Sequence, residues 1–166
     1  MKRRMLFTLL LIGTLTIARG QASGFGLGIM LGEPTGFSGK AWIGGDRAID
    51  FGLAWGLWRG GYLHVHGDYL FHASDVIKVN TGKFLVHYGP GLRLRSWSNG
   101  RYWYRGRYYD NGSSRVSLGV RVPVGLTYLI DEAPVDLFLE VVPTMDLLPG
   151  TYLDLDAALG VRYYFN

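Results

Sequence analysis

From Gly24 onward, apolar and polar side chains alternate with a two-residue period, the spacing of an extended chain with one greasy face. The pattern is fullest in the last stretch, Thr151 to Asn166. There Leu153, Leu155, Ala157, Leu159, Val161, Tyr163 and Phe165 share one face, and Asp154, Asp156, Ala158, Gly160, Arg162 and Tyr164 share the other. The same period predicts eight strands, over 24–31, 37–43, 48–58, 62–72, 83–97, 115–129, 135–147 and 151–166. Most are joined by short segments rich in Gly, Pro, Asn and Asp, such as Gly44-Gly45-Asp46-Arg47 and Asp131-Glu132-Ala133-Pro134. The connections 73–82 and 98–114 are longer. The expectation is an antiparallel up-and-down meander.

The composition of the two faces decides which one points inward. The apolar faces carry large Leu, Val, Ile and aromatic side chains, while the polar faces carry charges among many glycines. Glycine opposite long Arg and Lys side chains suits the crowded inside of a narrow barrel, and the bulky apolar set suits lipid. Eight strands of about eleven residues match the smallest membrane-spanning barrels, whose interiors are filled by side chains. The predicted fold is therefore all-β: an eight-stranded antiparallel transmembrane β-barrel with a polar, side-chain-filled interior. A soluble lipocalin-like barrel, the alternative, would turn its apolar faces inward around a ligand.

Inward positions include Lys40, Lys83, Arg93, Arg95, Arg115, Arg121 and Arg162, against Asp50, Asp68, Asp136, Glu140, Asp146, Asp154 and Asp156. Seven face seven, and buried charges persist only when paired, so a plugged barrel without an open pore is expected rather than a porin-like channel. If the short turns fix the register, Arg162 lies near Asp136 and Arg121 near Glu140, giving an interior salt-bridge network of those four residues.

The amino terminus reads separately. Lys2, Arg3 and Arg4 precede an apolar run from Met5 to Ile17, followed by small residues around Ala18 and Ala22, the pattern of a secretory signal peptide. Residues 1–22 are assigned to that signal and 23–166 to the barrel domain. Four of the 17 basic residues leave with the signal and no acid does, so the mature chain carries 13 basic and 13 acidic groups. Its neutrality removes any case for nucleic acid as a partner. The absence of cysteine excludes disulfides, thiolate metal sites and cysteine nucleophiles.

Candidate chemistry is sparse. His64, His66 and Asp68 share one strand face and His87 joins the same interior, but alternate strand residues stand about 7 Å apart, so a metal would take at most two of them plus a neighbour. No metal motif or Ser–His–acid spacing accompanies them, so this His/Asp cluster reads as a structural network, with Asp68 opposite His87 by counting outward from the 73–82 connection. Neither cofactor, metal nor catalytic residue is assigned. An outer-membrane enzyme acting on lipid or peptide is the alternative function. The loop 98–114 interleaves Arg101, Arg105 and Arg107 with Tyr102, Trp103, Tyr104, Tyr108 and Tyr109. It reads first as a hairpin extending past the membrane with its aromatics in an interfacial girdle, and second as a surface for extracellular polysaccharide or a host surface. Pro90, Pro123 and Pro143 fall mid-strand, where a missing donor calls for a bulge or a break.

The segments GFGLGIMLGEPTGFSGKAW, DFGLAW, RVPVGLTYL, LFLEVVPTMDL and LDLDAALGVRYYF together resemble a family of small, functionally uncharacterised outer-membrane β-barrels of the general OmpA/OmpX type. The resemblance implies the barrel fold and a cell outer-membrane location, with outer-membrane lipid as the surroundings; the barrel is expected to be a monomer. It also implies that the carboxyl-terminal strand, with Phe165, Tyr163, Val161 and Leu159 at alternate positions, is read by the barrel-assembly machinery; Asn166 after the Phe departs from that pattern. The function expected is a structural or surface-interaction role.

Overall fold

A computed structural model describes residues 23–56, 62–74, 76–97, 101–104, 107–110 and 115–165, with the backbone alone for 101–104, 107–110 and 115. Residues 1–22, expected to be a signal peptide, lie outside the described residues, as do Arg105 and Asn166. The chain forms β1 (Phe25–Glu33), β2 (Thr35–Gly44), β3 (Arg47–Gly56), β4 (Tyr62–Ala73), β5 (Lys83–Tyr88), β6 (Gly91–Trp97), β7 (Arg101–Tyr104), β8 (Arg107–Asp110), β9 (Arg115–Arg121), β10 (Val124–Leu129), β11 (Val135–Leu148) and β12 (Tyr152–Phe165). β5 and β6 are two halves of one wall strand, and so are β9 and β10. β5 and β6 both pair with β4, β9 and β10 both pair with β11, and the two split strands pair with each other as β5 with β10 and β6 with β9. The wall is therefore a ring of eight antiparallel strands.

The ring closes between β1 and β12, which pair from Phe25↔Phe165 to Glu33↔Ala157. This seam is tight because β1 is glycine-rich. A Cβ at Gly28 would stand 1.8 Å from the Val161 carbonyl oxygen, so only glycine lets the two backbones approach. The β1–β2 reversal is held by Thr35, whose hydroxyl donates to the Gly32 carbonyl (2.9 Å) and accepts from its N–H (3.1 Å). Gly32 sits at φ 137°, in the region that favours glycine.

Two of the three mid-strand prolines account for the split strands. Pro90 follows the end of β5, and Pro123 separates β9 from β10. Pro143 does not break its strand: it stays within β11 opposite Leu155. Its carbonyl accepts from Val122 N–H at 3.0 Å. In an antiparallel strand the N and carbonyl of one residue point to the same neighbour. The donor that Pro143 lacks thus faces the gap already opened before Pro123. Pro123 accepts in turn from Gly89, and Pro90 from Tyr69, at 3.3 and 2.9 Å. The three prolines lie on adjacent strands, so their missing donors fall in three successive seams and form one weakened band across the wall.

Side chains separate as the period predicts. Outward positions such as Leu27, Leu53, Leu139 and Leu159 are 42–55% exposed and form a continuous apolar belt around the wall. Inward positions such as Lys40, Asp50, His64, Arg93, Arg121 and Arg162 are at most 2% exposed. This inverts a soluble barrel, and a belt of that extent is a surface that only an apolar phase satisfies. Among the described residues no helix is long and apolar enough to cross a membrane, so any crossing is made by strands. The interior also has apolar fillers: Met30, Ala54 and Phe138 pack together near its middle, and Tyr62 and Trp97 pack together near the end that carries the 98–114 loop.

Candidate functional site

The only chemistry-bearing assembly among the described residues is the column of charges down the barrel axis, and alternation along each strand builds it. Nearest the end where the strands begin and finish, Lys40 Nζ lies 2.7 Å from His72 Nε2, with the Trp42 ring 4.7 Å from the amine. An open recess of about 240 Å³ beside them is bounded by Asp46, His72 and Lys83.

Arg162 comes next. β11 and β12 place Asp136 directly opposite it, as the short Leu148-Pro149-Gly150 turn dictates. Its guanidinium donates to Asp136 Oδ2 at 3.4 Å, to Asp50 Oδ2 at 2.5 Å and to Ser38 Oγ at 2.8 Å, and it lies 3.8 Å from the centroid of the Phe138 ring. The Tyr164 hydroxyl donates to the same Asp136 oxygen at 2.7 Å. Arg121 follows, 3.3 Å from Glu140 and 3.2 Å from Asp68. It also reaches His64 Nε2 at 3.4 Å. The four residues Arg121, Asp136, Glu140 and Arg162 thus form two adjoining groups, each completed by an aspartate from the β3–β4 wall.

At the loop end Arg93 binds three carboxylates, Asp146 (3.1 Å), Asp154 (3.2 Å) and Asp156 (2.6 Å), while Arg95 bonds Asp154 and faces the Tyr62 and Trp97 rings. Sequence reasoning put these residues inside but did not group them. The β6–β9 connection is the long loop, and β9–β11 pairing carries a register shift between Asp146 and Leu148, so counting from turns fails there.

The histidines spread over the column. His64 and His66 stand edge to face, 5.2 Å between ring centroids. His87 lies further down, 2.9 Å from Thr127 Oγ1 and 3.6 Å from Glu140 Oε2. The expected facing of Asp68 and His87 does not occur: His87 opposes His72, and Asp68 opposes Gly91. The cause is that β5 begins its pairing with β10 at Lys83, whereas β4 meets β5 only from Ala73↔Val86. The register is displaced by four residues from a tight reversal. Lys83, expected inside, is exposed at the mouth. Lys83 therefore drops out of the expected seven inward cations, and the side chain of Arg115, another of them, lies outside the described residues. The cationic side chains buried among the described residues are Lys40, Arg93, Arg95, Arg121 and Arg162, against seven carboxylates.

Three groups meet in a way the sequence did not disclose. Asp50 and Asp68 are direct cross-strand partners on β3 and β4. His66 leans over Gly52, where a Cβ would strike its ring at 2.4 Å. One ligand atom from each of Asp50, His66 and Asp68 lies within 4.8 Å of the other two, and all three residues are buried.

In the 98–114 loop the backbone forms a two-stranded hairpin, Arg101 opposite Asp110 and Tyr104 opposite Arg107. The side chains of Tyr102, Trp103, Tyr108 and Tyr109, with those arginines, lie outside the described residues.

No protein-family model matches the chain, and no curated protein matches it. Among solved structures, the N-terminal β-barrel domain of Pseudomonas aeruginosa OprF is similar with a TM-score of 0.66 at 14% identity, covering 86% of this chain and 98% of that one. Ail, the attachment invasion locus protein of Yersinia pestis, aligns at 15% identity with a TM-score of 0.38, covering 86% and 94%. The likeness to the OprF domain shows the fold, an eight-stranded antiparallel β-barrel.

Proposed function

We propose that the chain is a monomeric outer-membrane protein with a structural or surface-interaction role, that its barrel holds no open pore, and that it is not an enzyme. The observation that carries this reading is the filled interior. Arg162, Arg121 and Arg93 each reach carboxylates contributed by at least two different wall strands, so the charges span the lumen and tie opposite walls together. A conducting channel needs a continuous wet path, and a lumen crossed by buried ion pairs is a poor one. The soluble ligand-binding alternative is disfavoured by the same inside-out polarity.

The partners follow from the surfaces. The apolar belt takes outer-membrane lipid. The β12 face with Leu159, Val161, Tyr163 and Phe165 is what barrel-assembly machinery would read, and the hairpin β7–β8 is the element available to extracellular polysaccharide or a host surface. Nucleic acid has no place on a neutral mature chain. The test has two arms. Purified barrel is expected to require detergent and to migrate differently on gels before and after heating, and a monodisperse detergent-free form would overturn the membrane reading. In planar bilayers no steady conductance is expected, and a stable open channel would overturn the closed lumen.

A further inference from the structure

The buried charges do not balance. Around Asp50 and Asp68 the described buried cations are Lys40, directly opposite Asp50, Arg121 and Arg162, against the four buried carboxylates of Asp50, Asp68, Asp136 and Glu140, and an uncompensated charge in a low-dielectric interior is costly. Asp50 and Asp68 face each other directly, an arrangement in which like charges repel. Each has one guanidinium, Arg162 on Asp50 and Arg121 on Asp68. Those two arginines are shared with Asp136 and Glu140, so four carboxylates draw on two guanidinium groups.

His66 supplies the independent observation. It is 5% exposed, and its Nδ1 is buried without a hydrogen-bond partner. A buried imidazole normally finds a donor or acceptor. This one instead has a ring nitrogen in a group with one oxygen each from Asp50 and Asp68, all within 4.8 Å. Gly52 beneath it supplies the space that lets the ring lie there.

The geometry points to a divalent transition-metal site, of the Zn²⁺ or Mn²⁺ class, formed by Asp50, His66 and Asp68 at the heart of the barrel. One imidazole and two carboxylates are a mixed nitrogen and oxygen set of the kind such ions take, with water completing the coordination. At metal–ligand distances of about 2.0–2.2 Å the ligand atoms would stand roughly 3.4 Å apart, so binding draws together atoms that now lie within 4.8 Å of one another. Arg121 and Arg162 would orient the carboxylates from outside the coordination sphere. The charge of the ion offsets the repulsion between the two facing aspartates. The site is structural: it adds a cross-link between β3 and β4, and it goes beyond the proposed function without depending on whether the outer loop binds anything.

The test uses untagged barrel refolded in detergent from chelator-treated buffer, with Zn²⁺ added before refolding and free ion then removed by dialysis. The expected result is about one Zn²⁺ retained per folded chain and a higher urea midpoint than the metal-free preparation. An Asp68→Asn and a His66→Gln variant, each checked for folding by heat-dependent gel mobility, are expected to lose the ion, while Asp156→Asn, on another part of the column, keeps it. Co²⁺ in place of Zn²⁺ should give a visible d–d band in the folded wild type and none with either variant. Folded wild type that retains no Zn²⁺, or variants that retain as much as wild type, would overturn the site. If the variants do not fold, wild type that neither retains Zn²⁺ nor gains a higher urea midpoint still overturns the site.

Discussion

Replacing Arg162 by methionine tests the charged column at its most connected point. The side chain is at most 2% exposed and holds Asp50 at 2.5 Å, Asp136 at 3.4 Å and Ser38 at 2.8 Å. Methionine keeps most of the volume and the contact with Phe138 but leaves Asp50 without its guanidinium, whereas Asp136 keeps the Tyr164 hydroxyl. Removing one partner of a buried pair costs about 3–5 kcal/mol, because the remaining charge is desolvated with nothing to offset it. Most of that cost falls on Asp50. Neutralising both acids in the same background, as Arg162→Met with Asp50→Asn and Asp136→Asn, removes the stranded charges and should return more than half of the loss. The assay is equilibrium urea unfolding in detergent micelles with a chelator present, which keeps metal binding out of the comparison; intrinsic tryptophan fluorescence and gel mobility report the folded fraction. A single variant that loses less than about 1 kcal/mol, the range of exposed pairs, would refute the reasoning. So would a triple variant no more stable than the single one.

Other perturbations address the wall. Gly28→Ala should prevent closure, since its Cβ would meet the Val161 carbonyl oxygen at 1.8 Å; the expected readout is loss of the heat-resistant compact band. Gly67→Leu should fold normally and partition at least as strongly into vesicles, because Gly67 faces outward and a Cβ there meets nothing within 4 Å. Backbone hydrogen exchange should be faster around residues 88–92, 121–124 and 143 than along β1–β12, since the three prolines concentrate missing ladder donors there. Equal protection in both places would contradict the account of that proline band.

The strands and their inward phase were legible because a wall with lipid outside and charges inside imposes a strict period of two. The Arg162–Asp136 neighbourhood was legible for a related reason: a short turn fixes the β11–β12 register. The Asp68–His87 pairing was not, because β5 starts against β10 before β4 joins it, and nothing in the 73–82 segment signals that offset. Phe138 and Met30 sit inside although neither is polar, so the alternation gives their direction while their residue type hides it. Arg93 with its three carboxylates escaped notice because its partners come from β11 and β12, beyond the long 98–114 loop. The Asp50, His66 and Asp68 cluster depended on a cross-strand partner from β3, and scanning one strand at a time could not supply it.

The pairing of Phe25 with Phe165 has a consequence for how such a chain reaches its native state. The first and last described strands are neighbours in space, so the contact that completes the wall joins points almost the whole described length apart. Every earlier stage leaves two unpaired edges, and an open edge is intolerable within hydrocarbon. Local hairpins therefore do not add up to a stable half-barrel in the bilayer. Contacts so remote in sequence also form slowly. Insertion and closure become one kinetic event, which makes the chain dependent on whatever shelters its edges until both ends are present.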